Sequence, residues 1–349
     1  MKVKQLKCNL KSRPVDVPAL AEEILKENRF ALIVPHGCKA PQFYRYIPAL
    51  GVWETSNKDE IKHLAAVKLE QTHRWSSAAT NNIYIYIRDS LEIQRESNTF
   101  SFQRGMKYNF ANGVFNWNTM ELQPHQPNDY FTSVAPYNLE LGETPETDKY
   151  IHGIFGENAK TIMEFVGYGF YPSYEPINKM MFLVGGGVGK TTFNKYLAHL
   201  MGVDNCGFVD LMQLSKGRNI QELCGKSINA VEDYSNAESM NTYCLKRLVD
   251  LSSFDLKKLP IPFCNTAKLW FASETLKKVD DTAKSWGRRV VVVDFNSIKD
   301  YKNLDWNKIN EERGAFAYKC IHLAKEAIKR GELTSTSSIE NKRKKWVYI

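Results

Sequence analysis

The chain has no apolar run near the roughly 18 residues that a membrane span requires. Its first residues, Met1-Lys2-Val3-Lys4-Gln5-Leu6-Lys7, lack the hydrophobic centre of a secretory signal. There is no Cys-x-x-Cys pair, and the seven cysteines are an odd number, which argues against both a disulfide framework and a zinc ribbon. Cys38, Cys206 and Cys244 then read as small apolar residues. His36, His63, His73 and His125 show no metal-ligand spacing and adjoin no pair of carboxylates, so they read as structural. Internal repeats and long low-complexity stretches are missing too. These absences argue against a membrane channel, a secreted disulfide scaffold and a zinc module, and predict a cytoplasmic protein with no membrane partner.

What is present is ordinary in bulk and specific in one place. With 349 residues, 25% of them charged and 43% hydrophobic, the chain has room for two globular domains. A net charge of +8 points mildly to a polyanionic partner. Asn341-Lys342-Arg343-Lys344-Lys345-Trp346 sets a basic cluster beside an aromatic ring, a composition suited to phosphate contact and base stacking and equally to a solvated tail.

The specific place is Met181-Phe182-Leu183-Val184-Gly185-Gly186-Gly187-Val188-Gly189-Lys190-Thr191-Thr192. A hydrophobic strand breaks here into a glycine loop that opens an amphipathic helix. Consecutive glycines let the backbone turn its N–H groups toward an anion, because no Cβ obstructs the required dihedral angles. The helix adds the positive end of its dipole, Lys190 can reach the β- and γ-phosphates, and Thr191 can ligate Mg²⁺. Phe193, Tyr196, Leu197, Leu200 and Met201 recur at helical spacing and Gly202 supplies a stop. Gly185 to Thr192 thus reads as a site for ATP with Mg²⁺. The strict phosphate-loop pattern has glycine where this chain has Val184, so the match is to the Gly-Gly-x-Gly-Lys-Thr core.

An ATPase also needs acidic groups opposite that loop, to hold the metal and orient the attacking water. Ile228-Asn229-Ala230-Val231-Glu232-Asp233 offers a strand ending in two carboxylates. A second strand, Lys268-Leu269-Trp270-Phe271-Ala272, ends at Ser273-Glu274, placing Glu274 where a γ-phosphate sensor would stand. Trp286-Gly287-Arg288-Arg289 runs into the buried strand Val290-Val291-Val292-Val293-Asp294-Phe295, and an arginine there could reach across a subunit interface to a transferring phosphoryl group. A surface arginine pair would look the same. Phe254-Asp255-Leu256-Lys257-Lys258-Leu259-Pro260 could form a hairpin whose Lys257 and Lys258 grip a phosphodiester backbone, or a solvated basic turn.

Upstream, Asp16 and Pro18 start a helix carrying Leu20, Ile24 and Leu25, Phe30 to Val34 reads as a strand, and Asn112-Gly113 marks a tight turn. The acidic stretch Asn138 to Lys149 reads as a connector. The pattern predicts an N-terminal α+β domain over 1–150, an α/β ATPase domain with a largely parallel sheet over 151–300, and a helical, basic tail over 301–349 whose first helix is capped by Asp305.

In this order the motifs resemble those of superfamily 3 helicases, specifically the helicase part of phage and plasmid primase-helicases, including the helicase region of a deep-sea vent phage primase-polymerase. Asn112 to Trp117, Glu121 to His125 and Asp129 to Thr132 are similar to the segment preceding the ATPase in that family. Gly185 to Thr192 matches its motif A, Val231-Glu232-Asp233 motif B, Lys246 to Lys258 the DNA-contacting motif, Lys268 to Glu274 motif C, and Arg288-Arg289 the arginine-finger element. The chain departs from the pattern at Ser273-Glu274, where the family has Thr-Asn, and lacks the Gly-Gly-Asp usual before the hairpin.

The resemblance implies an AAA+-like P-loop ATPase domain in a homo-hexameric replicative helicase that moves 3′ to 5′ on single-stranded DNA in a bacterial host cytoplasm. It implies forked DNA as substrate and a primase-polymerase domain in cis or in trans; no Asp-x-Asp pair with a companion histidine for such a domain occurs in this chain. In that scheme Lys190 and Thr191 bind phosphate and metal, Glu232 and Asp233 hold metal and water, and Arg288 or Arg289 acts from the next subunit. Two rivals stay open at this stage: a nucleotide-switched DNA-binding or loading ring that does not unwind strongly, and a small-molecule kinase.

Overall fold

The computed structural model describes residues 14–34, 41–96, 99–100, 105–186, 189–232, 239–256, 262–276, 278–279, 284–296 and 304–347. They divide into two compact units, one of residues up to 46 with 54–97, the other of residues 47–53 with 98–349.

The first unit is a small α+β body. Helix α1 (Val17–Glu27) is capped by Asp16, which accepts from the amide of Ala19, and buries Ala21, Ile24 and Leu25. Strand β1 (Phe30–Ile33) pairs antiparallel with β2 (Gln42–Ile47), and β3 (Val52–Ser56) completes the three-stranded sheet. Helices α2 (Lys58–Gln71) and α3 (Ser77–Asp89), capped by Asn57 and Ser76, contribute Ile61, Leu69, Ile83 and Ile87 to its core.

The second unit opens with an antiparallel meander of β4 (Lys107–Phe110), β5 (Gly113–Asn116) and β6 (Glu121–Gln123). Gly113 turns between the first two strands, and a Cβ there would meet the carbonyl oxygen of Gln123 at 2.6 Å. Helices α4 (Pro145–Phe155) and α5 (Ala159–Gly169) follow. The α/β core then runs β7 (Met180–Val184), α6 (Lys190–Met201), β8 (Cys206–Gly207), α7 (Leu211–Ser215), β9 (Ile228–Glu232), β10 (Ser239–Met240) and α8 (Tyr243–Val249). It continues with β11 (Ser253–Phe254), β12 (Phe263–Cys264), β13 (Lys268–Ser273), β14 (Lys278–Val279), α9 (Lys284–Gly287) and β15 (Val290–Asp294), and closes with α10 (Trp306–Glu311), α11 (Arg313–Arg330) and α12 (Ser337–Val347).

Among the described residues, five strands form one parallel sheet in the order β15-β7-β13-β9-β8. Its central strands are buried nearly end to end, the signature of a parallel sheet covered on both faces. The glycine-loop strand β7 lies between β15 and β13, and β13 separates it from β9.

The observed division corrects two expected boundaries. The first domain is expected to run to residue 150, yet the break lies near residue 97 and the meander belongs to the second unit with the parallel sheet. Tyr108 donates to the carbonyl of Met201 at 2.7 Å, Trp117 donates to the carbonyl of Phe170 at 2.9 Å, and both rings are buried. The acidic connector is partly α4, whose first amides at Glu146 and Thr147 are capped from far along the chain by Glu312.

The last segment is not an appended tail. Helix α11 packs along α5, fitting closely enough that a Cβ on Gly167 would collide with the carbonyl of Cys320 at 1.9 Å. The buried carboxylate of Glu164 on α5 also takes Arg330 at 2.9 Å and the amide of Thr334 at 2.6 Å. Asp305 does cap α10, accepting from the amides of Asn307 and Lys308.

Candidate nucleotide site

The glycine loop leaves the C-terminal end of β7 and enters α6. Gly185 has no room for a side chain, since a Cβ would lie 2.4 Å from the carbonyl oxygen of Phe295. Gly189, at φ 118°, is the residue before the first helical turn, a left-handed position that suits glycine. Gly186 is exposed, while Gly187 and Val188 lie outside the described residues. Lys190 is the first residue of α6. Its ammonium donates to the carbonyl of Gly185 at 2.6 Å and stands 5.9 Å from the centre of the Phe295 ring. The lysine is thus folded over the loop's own backbone. Thr191 is exposed and Thr192 half-buried in the same turn.

Parallel pairing brings the remaining groups to this edge. Ser273 on β13 pairs with Val184, and its carbonyl accepts from the amide of Gly185 at 3.1 Å. Glu232 on β9 pairs with Ala272, so it stands two strands away from the loop. At the usual strand spacing that sets the two strands roughly 10 Å apart. Glu232 and Thr191 line one cavity of about 370 Å³ together with Asn194 and Val231. Ligands of open α/β sheets bind in this crevice beyond the carboxyl ends of the strands. Asp233, the second expected metal and water ligand, lies outside the described residues.

The expected sensor residue is placed differently. Glu274 is exposed beyond the end of β13, whereas Ser273 touches the loop and donates from its hydroxyl to the carbonyl of Thr275 at 2.6 Å. Sequence reading passed over three further neighbours of the loop. Phe295 walls it, through its amide to Val184 at 2.8 Å and its ring against Gly189. Asp294 ends β15 opposite Val184, and Lys342 of α12 pairs with it. The basic cluster is therefore partly engaged within the fold: Arg343 pairs with Glu340, and Trp346 packs on Phe182 at 4.7 Å and Trp286 at 5.5 Å, which overturns its base-stacking role. No signal in the sequence paired Lys342 with Asp294, since 48 positions separate them and only the docking of α12 joins them.

The two arginines stand at the opposite, N-terminal edge of the sheet, before β15, so neither faces its own glycine loop. They differ sharply. Arg289 is 6% exposed and makes two hydrogen bonds to the carboxylate of Asp250, at 2.7 and 2.5 Å, with a third to the carbonyl of Ser285. That engagement removes it as an arginine finger. Arg288 is exposed, its side chain directed by no such pair, while its carbonyl accepts from Lys179. Burial, and next the nearby Arg343, push the Lys179 ammonium down to about 8.

The same edge carries the expected hairpin. Strands β11 and β12 pair antiparallel, Ser253 with Cys264 and Phe254 with Phe263. Lys257 and Lys258, the expected DNA-gripping pair, lie outside the described residues. Arg247 of α8 braces the base, its guanidinium 4.3 Å from the Phe254 ring centre and donating to the carbonyl of Ser253. Lys268, at the start of β13, is fully buried between the rings of Tyr168 and Tyr174 and donates to the carbonyls of Tyr171 and Thr266; burial holds its ammonium well below the ordinary lysine range.

Residues 37–156 match the family described as D5 N terminal like, the N-terminal segment of the phage and plasmid primase-helicase family. No curated protein matches the chain. Among solved structures, the apo structure of the NrS-1 C-terminal region is similar at a TM-score of 0.57 and 11% identity, over 96% of this chain and 75% of that one. The A form apo structure of the same region gives 0.56 and 11%, over 94% and 74%. At this identity the likeness is one of fold: a mixed α/β architecture with a parallel sheet.

Proposed function

We propose that this chain is an ATP-dependent DNA helicase subunit of a phage or plasmid primase-helicase system, with an AAA+-like P-loop ATPase core. The observation that carries the reading is the convergence, at one edge of a parallel sheet, of the Gly-Lys-Thr loop, Glu232 and the end of β13. In this scheme Lys190 and the amides of the loop bind the phosphates of ATP, and Thr191 holds Mg²⁺ with Asp233 as its acidic partner. Bound Mg²⁺ would neutralise charge on the transferring phosphoryl group. Glu232 would orient and deprotonate the attacking water across the 370 Å³ cavity that it shares with Thr191.

Arg288, exposed at the far edge, has no access to its own nucleotide and would act on that of a neighbouring copy, which makes a closed ring such as a homo-hexamer the working state. The turn between β11 and β12 would grip single-stranded DNA through Lys257 and Lys258. A primase-polymerase in cis or in trans remains the partner that the resemblance implies.

The test is ATPase activity measured with and without single-stranded DNA, alongside the solution mass. Hydrolysis stimulated by DNA, from a particle of several subunits, is the expected result. A monomer whose activity ignores DNA would replace this reading with that of a small-molecule kinase. ATP-driven unwinding of a forked duplex then separates a helicase from a ring that merely binds and switches.

A further inference from the structure

The contacts around Arg289 carry a meaning beyond that assignment. Helix α8 ends at Val249, and its last residues are held from three sides. Asn265, immediately after β12, donates to the carbonyl of Leu248 at 3.1 Å; Asn178 donates to that of Val249 at 2.7 Å; and Asp250 takes the Arg289 guanidinium in a two-bond fork. Leu251 then adopts a left-handed backbone, φ 53°, and turns the chain from the helix into β11. Both strands of the hairpin are therefore bound to the end of α8, one through the tight turn at Leu251 and the other through Asn265. Both strands thus connect to the end of α8 at which Asp250 stands.

On the other side of the fork, Arg289 is continuous with Arg288. Its guanidinium also donates to the carbonyl of Ser285, and its own carbonyl accepts from the amide of Met180 at 2.8 Å, the first residue of β7. A carboxylate and guanidinium joined by two parallel bonds resist rotation as well as separation. The Arg289 side chain is only 7% exposed, so the guanidinium end of the fork is shielded, while the Asp250 carboxylate is 32% exposed and meets solvent on its outer side.

We infer that Asp250 is a positioning residue that couples the hairpin to Arg288: displacement of β11 and β12 moves Asp250, the fork transmits it to Arg289, and the adjacent Arg288 is re-aimed. The coupling rests on the helicase reading above, and it names the route by which DNA in the hairpin would regulate hydrolysis at a neighbouring copy's nucleotide.

The test uses the full chain and the variant Asp250→Asn, which keeps the shape and one acceptor but loses the charge and the fork. Basal ATPase and affinity for a single-stranded oligonucleotide should stay within about twofold of the unaltered chain, while stimulation by that oligonucleotide should fall about fivefold or more. Asp250→Glu, which retains a forked acceptor, should recover part of the stimulation. Full stimulation in Asp250→Asn would overturn the coupling and leave the helicase reading intact.

A variant that fails to fold is bypassed by hydrogen exchange on the unaltered chain. Adding the oligonucleotide without nucleotide should change protection over residues 284–290 together with 253–264, and a change confined to 253–264 would overturn the coupling. An unaltered chain that neither hydrolyses ATP nor responds to DNA would remove the helicase reading and the coupling with it.

Discussion

Lys190 and Lys268 stand at opposite edges of one parallel sheet, each near backbone carbonyls and each beside aromatic rings. Lys190 donates to a loop carbonyl at 2.6 Å and is half-buried at the mouth of the loop. Lys268 meets two carbonyls at 2.7 and 2.8 Å, lies 4.5 and 4.8 Å from two tyrosine ring centres, and is sealed from water. The arginines repeat the contrast within one edge, Arg289 satisfied by Asp250 and Arg288 left exposed. A cation whose acceptors are supplied in full by its own chain holds the fold. A cation that keeps part of its surface open to solvent can be reached by a ligand.

Substitutions can break that comparison, and the largest effect is expected at Lys190. Lys190→Ala should lower ATP turnover by roughly 10³ or more with little change in melting temperature, because the residue is borne by a loop and supports no core. Hydrolysis near the original rate would end the nucleotide-site assignment. Arg288→Ala should lower turnover by a factor on the order of 10³ and likewise leave the melting temperature in place. Mixed with Lys190→Ala subunits, it should regain part of the activity, since one interface type then combines an intact loop with an intact arginine. A mixture that stays inactive after verified subunit exchange argues against action between copies.

Lys268→Met should do the reverse, lowering stability by about 1–3 kcal/mol as two buried carbonyls lose their donor, with ATP turnover per folded molecule retained. It also carries a pH signature. The buried ammonium is depressed below its unfolded value, so the unfolded chain binds more protons in the interval between the two values, and stability gains from this group as pH rises through that interval. Denaturant titrations at successive pH values should show that gain in the unaltered chain and lose it in Lys268→Met. The smallest effect belongs to Glu274→Asn. As Glu274 is exposed past the end of β13, turnover should stay within about twofold; a loss of tenfold or more would return the carboxylate to the nucleotide.

Local signals were enough for the glycine loop, for the strand ending at Glu232 and for the hairpin bases, because each is written within a dozen residues. Strand pairing then adds what no window holds: it sets Ser273 rather than Glu274 against Gly185. The arginine pair was legible as a pair but not as two roles, since Asp250 lies 39 positions before Arg289 and chooses between neighbours by position in space. Asn112-Gly113 reads as a tight turn without saying what its flanking strands pack on; Tyr108 reaches the far end of the glycine-loop helix and Trp117 the end of α5. Acidity at Asn138 to Lys149 reads as a linker because charge marks solvent contact on average, yet Thr144 and Thr147 within it are buried.

The place of β7 in the sheet has a consequence for how the molecule comes into being. Its two hydrogen-bonding neighbours are β13 and β15, which begin at Lys268 and Val290. A chain emerging from the ribosome therefore synthesises its glycine loop long before either strand that fixes it, and closing that separation is entropically slow. Until residue 295 is available, Phe295 cannot wall the loop and the edge of β7 that β15 covers is open to other chains. Nucleotide binding in the proposed site would thus be a late event in biogenesis, and nucleotide added during refolding should protect only molecules whose sheet has already closed.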